Sequence, residues 1–279
     1  RCSYYSNNGT SSLDNQKVKE MKLTASQQPV FKQVKDNYEC IQDVLDNTKD
    51  SDWVLTPEGS LSGYCTGPIH HATKETIDEY TDYLTKIETY LKENQRNIAL
   101  GTGHIEQDKM PYNEIRFYKQ GNLQKYYAKQ MLTHGPDFMG EYYYYLPGVR
   151  NETVWLDKNT LAGALICNDA WAYPPASPNG NPYHWRKLKE LGCRVVFVSA
   201  NCTMDVLDPI VYNFHESTLR MMAKAFDFHI VVSSACTDMN GEPRDHVQCP
   251  SGIIDPTGDW IVKCKDKGMD TVSAEIDFG

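Results

Sequence analysis

Three side chains capable of nucleophilic chemistry stand at the ends of strand-like apolar runs. Leu161-Ala-Gly-Ala-Leu-Ile leads into Cys167-Asn168-Asp169, Trp53-Val-Leu leads into Thr56-Pro57-Glu58-Gly59, and Tyr126-Tyr-Ala leads into Lys129. Strand ends are where α/β proteins assemble their sites. A thiol on the turn after a buried strand is held rigidly, and the next backbone N–H, that of Asn168, can point at a reacting carbonyl oxygen. A thiol of pKa about 8.5 is mostly protonated at neutral pH, and it needs a base or a cation beside it to become an effective nucleophile. Glu58 offers the base and Lys129 the cation. Each residue also has a plainer reading. A cysteine after an apolar run is usually a small core hydrophobe, and a lone glutamate or lysine is usually solvated or part of an ordinary ion pair. The three together, each at a strand end, point to covalent catalysis.

The elements that must position them alternate along the chain. Residues 1–20 are polar and without apolar periodicity, and read as an arm or leader with Met21 a candidate original start; residues 21–279 form one domain. Met21 to Gln27 reads as a short strand, and Val34, Tyr38, Ile41, Val44 and Leu45 fall at helical spacing. After the Trp53 strand, Ile77, Tyr80, Leu84, Ile87 and Leu91 mark a long helix over 74–93, followed by the apolar run Asn97 to Gly101. Asn113 to Tyr118 and Leu123 to Lys129 read as a hairpin, with Gly121-Asn122 supplying the turn. Helices near 183–191 and 214–226 separate the runs 161–166, 195–198 and 229–232, and a last hairpin pairs Ser251 to Ile254 with Trp260 to Lys263. This alternation argues α/β layers, with helices covering a mixed sheet.

Composition narrows the function classes. The chain has 279 residues, 40% hydrophobic and 23% charged, which is that of an ordinary globular protein. A domain of this size hides roughly 75% of its unfolded surface, so its core requires no disulfide or metal staple. The net charge of −9, with no compensating basic run, opposes nucleic acid and anionic membrane surfaces as partners. No apolar run reaches the ~20 residues of a transmembrane helix. The nine cysteines are odd in number and lack C-x-x-C or other metal-ligand spacing, which suits reduced thiols in the cytoplasm. Sequons at Asn8, Asn151 and Asn201 keep a secreted reading open.

Glu58, Lys129 and Cys167, in this order and these contexts, resemble the nitrilase superfamily of carbon–nitrogen hydrolases. The likeness runs from Met21 to Asp277. It takes in Lys129-Gln-Met-Leu132, Gly135-Pro-Asp-Phe-Met-Gly-Glu141 leading to Pro147-Gly148, Val196-Phe-Val-Ser-Ala-Asn201 and Ser251-Gly-Ile-Ile-Asp255-Pro-Thr-Gly258. The resemblance implies a four-layer αββα sandwich that assembles as a homodimer or higher homo-oligomer. It implies a second glutamate, Glu141, beside the thiol and lysine. It also implies a Glu-Lys-Cys triad that needs neither metal nor organic cofactor. In that scheme Glu58 takes the thiol proton, Cys167 attacks the carbon of the C–N bond, and Lys129 with the Asn168 N–H stabilises the oxyanion.

After the nucleophile the chain reads Asn168-Asp169-Ala170-Trp171-Ala172-Tyr173, without the Cys-Trp-Glu of nitrile-cleaving relatives. A small linear amide or N-carbamoyl substrate is therefore expected. The paired arginines that hold a carboxylate in N-carbamoyl-amino-acid hydrolases are replaced by Ala170 and Trp171, which speaks against carbamoyl-D-amino acids. Trp171, Tyr173 and Tyr142 to Tyr145 could wall an aromatic pocket or pack in a core. His184 and Arg186 read as surface helix positions, and His215-Glu216 lacks zinc-hydrolase spacing. A nitrilase and a catalytically idle binding member are the alternative functions.

Overall fold

The computed structural model describes residues 20–65, 67–71, 73–105, 110–133, 140–171, 183–202, 209–238 and 240–278. The arm over 1–19, Tyr173 and the stretch 135–139 lie outside them. Strand periodicity decides how the layers stack. In β1 (Met21–Gln27), β2 (Trp53–Leu55), β3 (Asn97–His104), β4 (Tyr112–Lys119) and β5 (Asn122–Ala128), residues alternate between two cores. Leu23, Ala25, Trp53, Leu55, Ala99, Ile115, Phe117 and Tyr127 face inward, and Val54, Ile98, Leu100 and Tyr118 face the other way. The outward set is covered by α1 (Val34–Asn47) and α2 (Lys74–Glu93) through Ile41, Val44, Leu45, Tyr80, Leu84, Ile87 and Leu91. These are the apolar faces expected from helical spacing, with Tyr38 and Ile77 at their half-buried margins.

The second sheet comprises β6 (Thr153–Trp155), β7 (Leu161–Ile166), β8 (Val195–Ala200), β9 (His229–Ser234), β10 (Gly252–Ile254) and β11 (Trp260–Lys263). Its helices are α3 (Asn168–Trp171), α4 (His184–Glu190) and α5 (Pro209–Phe226), whose Trp185, Leu188, Leu219 and Ala223 are buried with its strands. With β12 (Asp270–Ile276) added to the first, both sheets have six strands, in the orders β12-β1-β2-β3-β4-β5 and β11-β10-β9-β8-β7-β6. Each has a parallel core of three strands with antiparallel neighbours, hence mixed sheets. They pack face to face, with Phe117 of one meeting Phe197 of the other edge-on at 5.7 Å. The result is the expected four-layer αββα sandwich.

Two strands and one turn go beyond the sequence reading. Strand β12 (Asp270–Ile276) runs antiparallel to β1 and closes the first sheet, turning Val272, Ala274 and Ile276 inward at period two. Strand β6 is only three residues long, too short to show a period. In the β4–β5 hairpin Lys119 pairs with Asn122, so the loop is Gln120-Gly121 rather than Gly121-Asn122. Both loop residues have positive φ, +51° and +75°, the conformation of a primed hairpin turn.

Serine hydroxyls cross between the sheets at the end of β2. The Ser233 hydroxyl donates to the Leu55 carbonyl at 2.8 Å, and the Ser199 hydroxyl donates to the Thr56 carbonyl at 2.8 Å. Gly101 of β3 lies against the same turn: a Cβ there would stand 2.1 Å from the Pro57 carbonyl oxygen and 2.6 Å from the Ser199 hydroxyl. Gly101→Ala must therefore displace the turn that carries Glu58. A loss of about 1–3 kcal/mol is expected for such overpacking, read as a fall of roughly 2–4 °C per kcal/mol in the thermal midpoint. An unchanged midpoint would contradict this packing.

Candidate active site

The four expected site residues reach one place from four different segments. Glu58 follows β2 on the turn held by Ser199 and Gly101. Lys129 is the first residue after β5, where its N–H donates to the Asn113 carbonyl at 2.8 Å and its carbonyl accepts from the Gly148 N–H at 2.7 Å. Glu141 opens a single 3-10 turn, Glu141–Tyr143. Cys167 is the first residue after β7 and has φ +48°, a left-handed conformation that costs a non-glycine residue of order 1 kcal/mol. Its N–H donates to the Ser199 carbonyl at 2.8 Å, and α3 starts at the next residue. A strained strand-to-helix turn of this kind lifts a nucleophile clear of the sheet.

The ammonium of Lys129 bridges the two glutamates. It donates to Glu58 Oε1 at 2.8 Å and to Glu141 Oε1 at 2.7 Å. All three side chains are fully buried, while Cys167 keeps 8% exposure. Cys167 is thus the first of the four that a substrate meets, with the charged groups beside it. The carboxylates take further donors that the sequence alone did not single out. Glu58 accepts from the Asn113 side-chain amide at 2.7 Å and, on Oε2, from the Asn201 backbone N–H at 2.7 Å. Glu141 accepts from the Tyr64 hydroxyl at 2.9 Å and, on Oε2, from the Thr133 N–H at 2.6 Å. Asn113 leaves one trace in the sequence, a polar residue within a strand of the core; Tyr64 and Thr133 leave none.

Burial pushes the Glu58 carboxyl up, Lys129 pulls it down and the Glu141 charge pushes it up again, with the result at about 7. Burial opposes the charge on Lys129, but Cys167, Glu141 and Glu58 outweigh it and hold the ammonium well above its ordinary range. A hydrogen bond with Cys202, burial and the Glu58 charge raise the Cys167 thiol. The cluster therefore holds a fixed cation, a carboxyl poised to exchange a proton near neutrality, and a protonated thiol. Among the described residues, two of the three Lys129 donors are engaged by carboxylates, leaving one for an oxyanion.

Asp169 ties the thiol turn to the lysine turn. Its Oδ1 accepts from the Gln130 and Met131 N–H groups at 3.1 and 2.7 Å, and its Oδ2 accepts from the Tyr127 hydroxyl at 2.9 Å and the Ile166 N–H at 3.2 Å. One buried carboxylate thus fixes the residues flanking Lys129 and Cys167 together.

The remaining expected residues differ in their surroundings. Asn168 is buried at the start of α3, and its side-chain amide donates to the Met131 carbonyl at 3.4 Å. Trp171 ends α3 and lies on His215, ring centres 4.1 Å apart. Tyr142 is 51% exposed, beside the buried Glu141, whereas Tyr145 is buried against His70 and Tyr64. His184, read as a surface position, is buried because α4 turns it toward Asn151, 3.3 Å from its Nδ1. Arg186 is exposed and pairs with Glu190. Asn201 is buried, with its amide donating to the Glu58 carbonyl at 3.3 Å, so its sequon is closed to glycosylation in the folded chain.

A family model described as carbon-nitrogen hydrolase matches residues 22–279. No curated protein matches the chain. Among solved structures, an alanine-for-cysteine mutant of the Nesterenkonia AN1 amidase from the nitrilase superfamily aligns over 94% of this chain and 92% of that one, with TM-score 0.75 and 14% identity. A mutant of the Nesterenkonia sp. AN1 amidase showing covalent addition of the acetamide moiety of fluoroacetamide at the active site cysteine aligns over the same shares, 94% and 92%, with TM-score 0.75 and 13% identity. A complex of that amidase with butyramide aligns over 93% and 92%, with TM-score 0.76 and 14% identity. At these identities the likeness is one of fold.

Asp169→Asn turns an NH2 group onto donors that now share a carboxylate. The expected cost is about 1–3 kcal/mol from the donors left unpaired, read as a lower urea midpoint at constant slope. An unchanged midpoint would rule out the fourfold bonding described for Asp169.

Proposed function

We propose that this chain, which belongs to the carbon–nitrogen hydrolase family, cleaves a small linear amide or N-carbamoyl compound through a thioester on Cys167. The observation that carries the reading is the buried bridge of Lys129 to Glu58 and Glu141, at 2.8 and 2.7 Å, behind a thiol that alone of the four has exposed surface. Glu58 takes the Cys167 proton as the sulfur attacks the carbonyl carbon, and the carbonyl oxygen becomes an oxyanion facing Lys129 and the Asn168 N–H. Glu58 returns the proton to the departing nitrogen as the C–N bond breaks. Water then gives a proton to Glu58 and attacks the thioester, and the carboxyl hands that proton back to the leaving thiolate. Glu141 keeps Lys129 in place and balances its charge.

Amides are favoured over nitriles because Asn168-Asp169 stands where nitrile-cleaving relatives have Trp-Glu. Short aliphatic amides, of the kind held by the Nesterenkonia amidase, are the first compounds to test. Trp171 and Tyr142 are proposed as substrate-binding residues of the pocket. A reducing, cytoplasmic setting is supported by the eight described cysteines standing as free thiols and by the closed sequon at Asn201.

Ammonia release from parallel panels of amides, carbamoyl compounds and nitriles tests the bond. Turnover of amides or carbamoyl compounds is expected, lowered roughly 10³-fold or more in Cys167→Ala. Full activity in that variant, or turnover of nitriles alone, would sink the reading.

The pH dependence has a defined sign. Glu58 acts as base only when charged, and its carboxyl loses its proton as pH rises through about 7. The rate constant kcat/KM should climb through an acid limb near that value. Asn113 bonds the charged form and so lowers this value. Asn113→Leu should move the limb upward by roughly half a unit to one unit, the equivalent of one hydrogen bond. A limb that stays put would mean that Glu58 is not the titrating group.

A further inference from the structure

Behind the nucleophile lies a cluster that the hydrolytic reading does not use. Cys202 follows β8, His215 sits on α5 and Cys249 precedes β10, and their ligating atoms all lie within 4.8 Å of one another. Cys202 Sγ and His215 Nδ1 are 3.9 Å apart. The sulfurs continue toward the site: Cys202 lies between Cys249 on one side and Cys167 on the other. Each thiol has one proton to give. The Cys249 thiol donates to the Pro250 carbonyl.

Two sulfurs and one imidazole, on three separate segments, form three corners of a tetrahedral soft-metal centre, leaving the fourth for the Cys167 sulfur beside Cys202. With metal–sulfur and metal–nitrogen bonds of about 2.3 and 2.1 Å, ligand atoms in such a centre stand roughly 3.5–3.8 Å apart, close to the Cys202–His215 separation. Burial keeps His215 neutral, the state that ligates. Its Nδ1 lies 2.8 Å from the Gln248 carbonyl and would exchange that partner for the ion, with the ring proton moving to Nε2. The spacing of these residues along the chain hides the set, because none are near neighbours in sequence.

We propose that Cys202, His215 and Cys249 bind a thiophilic divalent cation of the Zn²⁺ type, with the Cys167 sulfur as fourth ligand, so that the ion holds the nucleophile out of action. Binding releases the three thiol protons to solvent and changes no oxidation state. The inhibitory part rests on Cys167 being the nucleophile; the binding part does not.

Co²⁺ added to the full chain reads the site optically, and Zn²⁺ reads it by inhibition of amide hydrolysis. One equivalent of Co²⁺ should give thiolate-to-metal charge-transfer bands and tetrahedral ligand-field bands, which Zn²⁺ removes. Zn²⁺ should inhibit hydrolysis, and a chelator should restore it. Cys249→Ser should keep basal hydrolysis and require roughly tenfold or more Zn²⁺ for the same inhibition. Cys202→Ser, at a half-buried and more tolerant position, should lose most of the charge-transfer intensity. Cys167→Ala should keep Co²⁺ bands at lower intensity, so bands in this variant alongside undiminished hydrolysis would refute the nucleophile and leave the metal site standing. Absence of thiolate bands in the parent chain, or equal Zn²⁺ sensitivity in Cys249→Ser, would overturn the site.

Discussion

One ammonium inside the protein holds two fully buried carboxylates. Transferring such ions from water into a protein interior costs several kcal/mol each, and only close pairing plus further hydrogen bonds offsets it. Lys129 supplies the pairing, and Asn113, Tyr64 and the N–H groups of Thr133 and Asn201 supply the bonds. These donors come from β4, from the loop after Glu58, from the lysine turn and from the end of β8. The cluster can thus exist only when both sheets have formed and closed. Its chemistry follows from the same constraint, since burial that is costly for Glu58 is also what brings its carboxyl into the neutral range.

The division of labour between the sheets is clear from the attachments. Glu58, Lys129 and Glu141 belong to the first sheet and the chain that follows it, and Cys167 belongs to the second. Ser199 joins them: its hydroxyl holds the Thr56 carbonyl and its own carbonyl receives the Cys167 N–H, at 2.8 Å each. Asp169 joins them a second time by bonding backbone on both sides, at Met131 and at Ile166. Movement of one sheet against the other would separate the nucleophile from its base. The polar stitching at the strand ends resists this where apolar packing alone, being non-directional, would permit sliding.

Much of this was legible in the chain, for local reasons. Glu58, Lys129 and Cys167 each follow an apolar run, so their place at strand ends needed no knowledge of distant residues. The helix over 74–93 was readable because Tyr80, Leu84, Ile87 and Leu91 keep one face over about three turns. What escaped is non-local. Asn113 meets Glu58 across 55 positions and Asn201 meets it across 143, and neither separation leaves a pattern. The thiol–imidazole cluster escaped for the same reason, since metal-ligand spacing is recognisable only when ligands share a turn or helix. His184 was misplaced because a seven-residue helix is too short to reveal which of its faces is covered.

The central claim is that the acyl group of the substrate rests on Cys167 while Glu58 moves the proton. The most direct measurement is intact-mass and peptide mass spectrometry of the parent chain after rapid acid quench of its turnover of a short amide, which traps the thioester before water removes it. The account predicts a mass gain of one acyl group, located on the peptide that contains Cys167. An adduct on another cysteine, Cys65 or Cys202 among them, or amide turnover with no acyl adduct at any time point, would contradict it.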